Sequence, residues 1–194
     1  ENENLSMNFD LGWNYAPWHH TLKGAAVRAS SSNVTTAEAY SMAWQSDYDI
    51  SENSYAFGII SWNDDKFSGY SKQVREAVGY GRRFIETDRH ILNGEIGFGA
   101  RQADLRTGIS QDESIMRLNA DYLWHISETA DFSQTFAVEN GSDNTFTESV
   151  TKLTADIRGN FSIVFSYTVR NNSDVPVGTV KKDTFTAVAL EYTF

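Results

Sequence analysis

The alternation of side chains along this sequence predicts an all-β fold, an antiparallel transmembrane β-barrel of about twelve strands, eleven of them carried by the chain. Three observations lead there. Apolar residues recur at period two in segments spaced about every 15 to 20 residues, and successive side chains of a strand point to opposite faces. The connections between segments alternate between short turns and longer polar loops, as in outer-membrane barrels. The final segment sets Thr186, Val188, Leu190, Tyr192 and Phe194 against Phe185, Ala187, Ala189, Glu191 and Thr193, an apolar face ending in aromatics.

The first segment, Leu5 to Tyr15, places Leu5, Met7, Phe9, Leu11, Trp13 and Tyr15 on one face and Ser6, Asn8, Asp10, Gly12 and Asn14 on the other. The second, His20 to Ala29, is weaker and rich in Ala and Gly. The third, Ala37 to Asp49, turns Tyr40, Met42, Trp44 and Tyr48 outward. For the fourth, Ser54 to Trp62, the outward set is read as Tyr55, Phe57 and Ile59. The fifth, Gln73 to Ile85, carries Val74, Val78, Tyr80 and Phe84 outward, with Glu76 and Arg82 as charged departures best placed near the interfaces.

The sixth segment, Ile91 to Arg101, directs Leu92, Ile96, Phe98 and Ala100 outward. The seventh, Met116 to Ile126, directs Met116, Leu118, Tyr122, Trp124 and Ile126. Phe132 to Glu139 is the eighth, with Phe132, Phe136 and Val138 outward and Gln134 as the exception. Ser149 to Arg158 is the ninth (Leu153, Ala155, Ile157), and Phe161 to Arg170 the tenth (Phe161, Ile163, Phe165, Tyr167, Val169). Short turns fall at 16–18, 49–53, 86–89, 127–130 and 159–160, and longer loops at 30–36, 63–72, 102–113, 140–147 and 171–182. All short turns then lie at one end, the periplasmic one. Counting back puts the start of Leu5 to Tyr15 outside the cell, so an even-stranded barrel expects a twelfth strand before Glu1; an eleven-stranded barrel or a miscounted hairpin is the alternative.

Composition agrees with this reading. The 194 residues suit a single domain, 1–194. Mean hydropathy is -0.45 and no apolar run approaches the roughly 20 residues of a membrane helix. Aromatics nevertheless make up 13% of the chain. With no cysteine there is no disulfide framework or thiol nucleophile. The net charge of -10 argues against nucleic acid as a partner. No basic-then-apolar leader is visible at Glu1-Asn2-Glu3-Asn4; an exported protein would have lost it.

The opposite parity collects charge. Lys23, Arg75, Arg83, Arg101, Arg117, Lys152, Arg158 and Arg170 face inward against Asp10, Asp47, Glu95, Asp121, Glu139, Glu148, Asp156 and Glu191. Such groups are stable inside a barrel only if paired or hydrated, so the lumen is expected to be salt-bridged or water-filled. Arg75, Arg101, Arg117 and Arg170 fall toward the external ends and Asp47, Asp121 and Glu191 nearer the periplasmic ends. If the arginines form the constriction, a pore would favour anions.

No catalytic residue, metal ligand set or cofactor is expected. Of His19, His20, His90 and His125, only His125 is a candidate base, inward beside Asp121 and two residues from Ser127. Gly79-Tyr80-Gly81 and Gly97-Phe98-Gly99 read as strand glycines rather than a phosphate loop.

The stretch Trp62-Asn63-Asp64-Asp65-Lys66-Phe67-Ser68-Gly69-Tyr70, with Arg75 and Val78-Gly79-Tyr80-Gly81, resembles a signature of the salt-induced outer-membrane protein family, also called YdiY-like. So do Gly94-Glu95-Ile96-Gly97-Phe98-Gly99 and Pro176-Val177-Gly178-Thr179 to Asp183. The resemblance spans essentially the whole chain and implies a barrel of the bacterial outer membrane without established catalytic residues. It also implies a Gly-rich strand ahead of Leu5. The expected function is a structural or stress-related envelope barrel, or a narrow small-solute pore. A membrane-embedded hydrolase or acyltransferase, and a soluble lipocalin-like ligand-binding barrel, are the alternatives. Outer-membrane lipids and the barrel-insertion machinery are the expected partners, the latter reading Tyr192 and Phe194 as an assembly signal.

Overall fold

The computed structural model describes residues 2–31, 34–66, 70–105, 108–175 and 180–193. Phe194, Phe67-Ser68-Gly69 and Pro176-Val177-Gly178-Thr179, which the sequence reading used, lie outside the described residues. Eleven strands form, in chain order: β1 (Asn2–Tyr15), β2 (Trp18–Ser31), β3 (Val34–Ser51), β4 (Ser54–Asp65), β5 (Tyr70–Glu86), β6 (His90–Leu105), β7 (Ser110–Ser127), β8 (Ala130–Gly141), β9 (Thr145–Arg158), β10 (Phe161–Asn172) and β11 (Lys182–Tyr192). They pair in one sheet in the order β1 to β11, each strand beside its sequence neighbour. Every strand read from the sequence is present.

Sequence neighbours pair because connections of two to nine residues are shorter than the dozen or so that a crossover needs. Registers follow the apolar rows: Leu11 faces Leu22 across β1 and β2, Trp44 faces Ile60 across β3 and β4, and Ile163 faces Leu190 across β10 and β11. One bulge interrupts β10 against β9 between Phe161 and Ser162. Two compact units are distinguishable: β1 to β4 with residues 70–80, 97–105 and 110–116 form one, and residues 81–96, 117–175 and 180–193 the other.

Three features differ from the sequence reading. The strands run further toward the loop end, to lengths of 11 to 18 residues, against about 9–11 needed to cross a bilayer. β7 starts at Ser110 instead of Met116, so most of the expected 102–113 loop is strand. Its first residues are polar on both faces, and without a hydropathy contrast the alternation is invisible.

β4 is also turned over. Tyr55 and Phe57 are buried, at 6% and 4% exposure, and pair with Asp49 and Asp47, while Ile60 pairs with outward Trp44. Both faces of β4 carry apolar residues, and bulk alone favours the wrong one.

Glycines in β6 allow a close approach to β5. A Cβ on Gly99 would stand 1.8 Å from the Glu76 carbonyl oxygen and 2.7 Å from Ala77 Cα, so only glycine fits.

Candidate functional site

The inner face of each unit is where chemistry collects, because a period-two strand with one face apolar must put its charges on the other. In the first unit, Arg101 on β6 meets Glu113 on β7. Arg101 Nε donates to Glu113 Oε1 at 2.8 Å, and Nη2 reaches the same oxygen. Their side chains are only 4% and 6% exposed. Lys23 and Asp10 pair at 3.3 Å but stand largely in solvent. Asp47 accepts from Gln45 Nε2 at 3.0 Å, and Arg75 Nη2 donates to Gln73 Oε1 at 2.6 Å.

In the second unit, Arg117 on β7 lies between carboxylates from both neighbouring strands. Glu139 Oε1 on β8 is 3.3 Å from Arg117 Nη1, and Glu95 Oε2 on β6 is 4.0 Å from Nη2. Glu95 and Glu139 are buried and Arg117 is partly buried, 13% exposed. Asp121 accepts from Thr135 Oγ1 at 2.7 Å and from Asn119 Nδ2. Arg83 is half-buried on β5. Asp156 accepts from Ser162 Oγ at 2.7 Å, and Arg170 Nε donates to Glu148 Oε2 at 2.5 Å. Lys152, Arg158 and Glu191 are exposed, with Glu191 in register with Ser162.

These pairings alter the expected field. Arg101, Arg117 and Arg170 each stand against a carboxylate, so no bare arginine row remains to attract anions. Glu113 was missed because it was assigned to a loop; its parity with Ile115 and Arg117 was the available signal.

All four histidines have side-chain partners. His19 Nε2 lies 2.6 Å from Asp49 Oδ2, His20 Nδ1 lies 2.8 Å from Ser46 Oγ, and His90 Nδ1 lies 2.9 Å from Tyr122 OH. His125 Nδ1 engages Asp131 Oδ1 on β8 at 2.6 Å, which corrects the pairing with Asp121 read along one strand. Ser127 Oγ is 3.5 Å from Thr129 Oγ1. Among the described residues no group of three or more His, Asp or Glu is placed to hold a metal ion.

The opposite face is apolar and ringed by aromatics at the short-turn end. In the first unit Trp18 stacks on His20 at 6.0 Å and meets Tyr48 edge-on at 5.0 Å. In the second, His90 stacks on Tyr122 and Trp124, and Phe161 meets Tyr192 at 5.1 Å. The polar departures on this face are managed locally. Arg82 lies 6.0 Å over the Phe84 ring, and Gln134 bonds Ser149 and Thr151 at 3.0 and 2.6 Å. In the turn after β4, a hydrogen bond to the Glu38 carboxylate holds the Lys66 ammonium above its ordinary pKa.

Residues 1–194 match the family described as "Protein of unknown function, DUF481". The chain belongs to that family. A relative, the "Uncharacterized protein YdiY" of Escherichia coli (strain K12), is 26% identical over 176 residues, covering 91% of this chain and 69% of its own length. The YdiY-like resemblance of the sequence is therefore borne out. Among solved structures, one titled "NanC porin structure in rhombohedral crystal form" matches with a TM-score of 0.66 at 9% identity, covering 100% of this chain and 94% of that one. This DUF481 chain has a porin-like fold, an all-β antiparallel sheet with eleven strands among the described residues.

Proposed function

We propose that the protein is a barrel of the bacterial outer membrane whose charged inner face lines a narrow path for small polar solutes. One observation carries the reading: ionisable groups of both signs stand on one face of the sheet, while the other is apolar and aromatic-belted. A soluble lipocalin-like barrel would invert this, yet Phe9, Leu11, Ile163, Phe165 and Leu190 are 44%, 37%, 44%, 46% and 67% exposed. In a bilayer that face meets acyl chains, and each strand from β2 to β10 is paired on both sides. Catalysis has no part in the proposal: His125 engages Asp131, and the Ser127 hydroxyl is placed against Thr129.

A structural envelope barrel is the second reading, and the near-complete burial of Arg101 and Glu113 favours it, because a sealed pair leaves little room for water there. Its salt-linked role would show as a rise in expression with external salt. Assembly through the insertion machinery would use the Tyr192–Phe161 aromatic contact near the end of β11. Single-channel recording in planar bilayers decides between the two: discrete conductance steps support the pore, and a silent, correctly folded protein leaves the structural reading ahead.

A further inference from the structure

We infer, on the membrane reading of the proposed function, that Arg82 on the apolar face of β5 holds the phosphodiester group of a membrane lipid in the leaflet at the short-turn end. Conductance plays no part in this. Arg82 belongs to the second unit, shares the outward parity of Phe84 and is exposed.

A guanidinium stays charged at any accessible pH, so on a face that meets acyl chains it needs a counter-charge. The protein supplies none. Among the described residues Arg82 makes no ion pair, and its guanidinium carbon lies 6.0 Å from the centroid of the Phe84 ring. A ring quadrupole attracts a cation but carries no net negative charge. In the first unit, by contrast, outward Arg28 stands in register with Glu38. The next outward carboxylate along β5 is Glu86, four residues on, which at about 3.3 Å per residue is too far to pair.

The depth suits a headgroup. With strands tilted by about 45°, those four residues set the Arg82 backbone roughly 9 Å from the end of β5 along the membrane normal. The His90 ring, stacked on Tyr122 and Trp124 just past the turn, marks the interface at that end. A long arginine side chain bridges from there toward the phosphate level. Access is open as well. A Cβ on Gly94 would stand 2.8 Å from Phe84 Cε2, so the Phe84 ring fills the space that glycine leaves on β6, and the guanidinium stays uncovered beside it.

Phosphate oxygens accept paired guanidinium hydrogens and neutralise the charge, which ester carbonyls and water cannot do. The site opens among acyl chains, where an unanchored anion would have to shed its water, so the occupant is a lipid phosphate and not a free one.

The test is native mass spectrometry of the full chain refolded in non-ionic detergent, with dioleoylphosphatidylglycerol, dioleoylphosphatidylcholine, dioleoylglycerol or inorganic phosphate added at equal concentration. The wild type should retain both phospholipids, which share the phosphodiester, and neither of the other two. Arg82→Gln should lower phospholipid retention several-fold, Arg82→Lys should keep part of it, and Lys23→Met on the inner face should keep all; heat-modifiable mobility on gels shows that each variant is folded. Phospholipid held equally by wild type and Arg82→Gln overturns the inference. So does dioleoylglycerol held by the wild type as well as the phospholipids, a result that needs no variant, and inorganic phosphate held in place of lipid overturns the choice of occupant. A chain that stays soluble and monomeric without detergent overturns the membrane reading and this inference with it.

Discussion

Replacing Arg101 with methionine should destabilise the folded barrel by about 3–5 kcal/mol, the cost of leaving a buried charge without its partner. The magnitude follows from the geometry. Glu113 is 6% exposed and receives two guanidinium donors, from Nε at 2.8 Å and from Nη2. Water cannot take over those bonds at that depth, so the carboxylate must either stay desolvated or protonate. Glu113→Leu alone should cost a similar amount by taking the carboxylate away from the buried Arg101 guanidinium. The double replacement Arg101→Met with Glu113→Leu should recover most of the loss, because two apolar groups of comparable volume remove the desolvation penalty on both sides. Lys23→Met is the control: Lys23 and Asp10 are 63% and 60% exposed, and such pairs contribute about 0–1 kcal/mol. Urea unfolding in detergent micelles, followed by intrinsic tryptophan fluorescence, gives all four values. Single replacements costing under about 1 kcal/mol, or a double mutant as unstable as the sum of the singles, would refute the argument that burial makes this pair matter.

Two further outcomes follow from other parts of the sheet. Gly99→Ala pushes a methyl group onto the Glu76 carbonyl and should cost about 3 kcal/mol or block folding, whereas Gly108→Ala, at φ +83 with open space around it, should cost only about 1 kcal/mol of backbone strain; thermal unfolding of the two compares them, and equal effects would sink the close-approach argument. Lys66 has its pKa raised above 10.5 by its hydrogen bond to Glu38, so its stabilising contribution is fully present below that value and lost as pH rises through the raised one. The small stability gap between wild type and Lys66→Met should therefore hold from neutral pH to about 10 and close above it; a gap that stays open at strongly alkaline pH contradicts the assignment.

The fold was legible because β1, β10 and β11 have one apolar face and one polar face, which fixes both strand identity and direction of the side chains. β4 shows where that signal fails. With Tyr55, Phe57 and Ile59 on one parity and Ile60 and Trp62 on the other, hydropathy cannot choose a face, and the register with β3 decides. Glu113 is hidden for a related reason: at the loop end both faces of β7 are polar, so strand looks like loop. His125 illustrates a third limit, since its partner Asp131 comes from the next strand and a reading confined to one strand finds Asp121 instead. Parity alone brought Glu95, Arg117 and Glu139 to a common face; that they meet as a triad required the registers across three strands.

The account stands on the apolar face meeting lipid and the charged face meeting the interior. The chain has no cysteine, so single cysteines at Ile163, Val164, Phe165 and Ser166 of β10 can each carry one fluorophore in bilayers of brominated acyl chains. Positions 163 and 165 should be quenched strongly and 164 and 166 weakly, in step with the exposure of Ile163 and Phe165 and the burial of Val164. Quenching that alternates in the opposite sense, or shows no alternation along β10, would contradict the membrane orientation from which the rest follows.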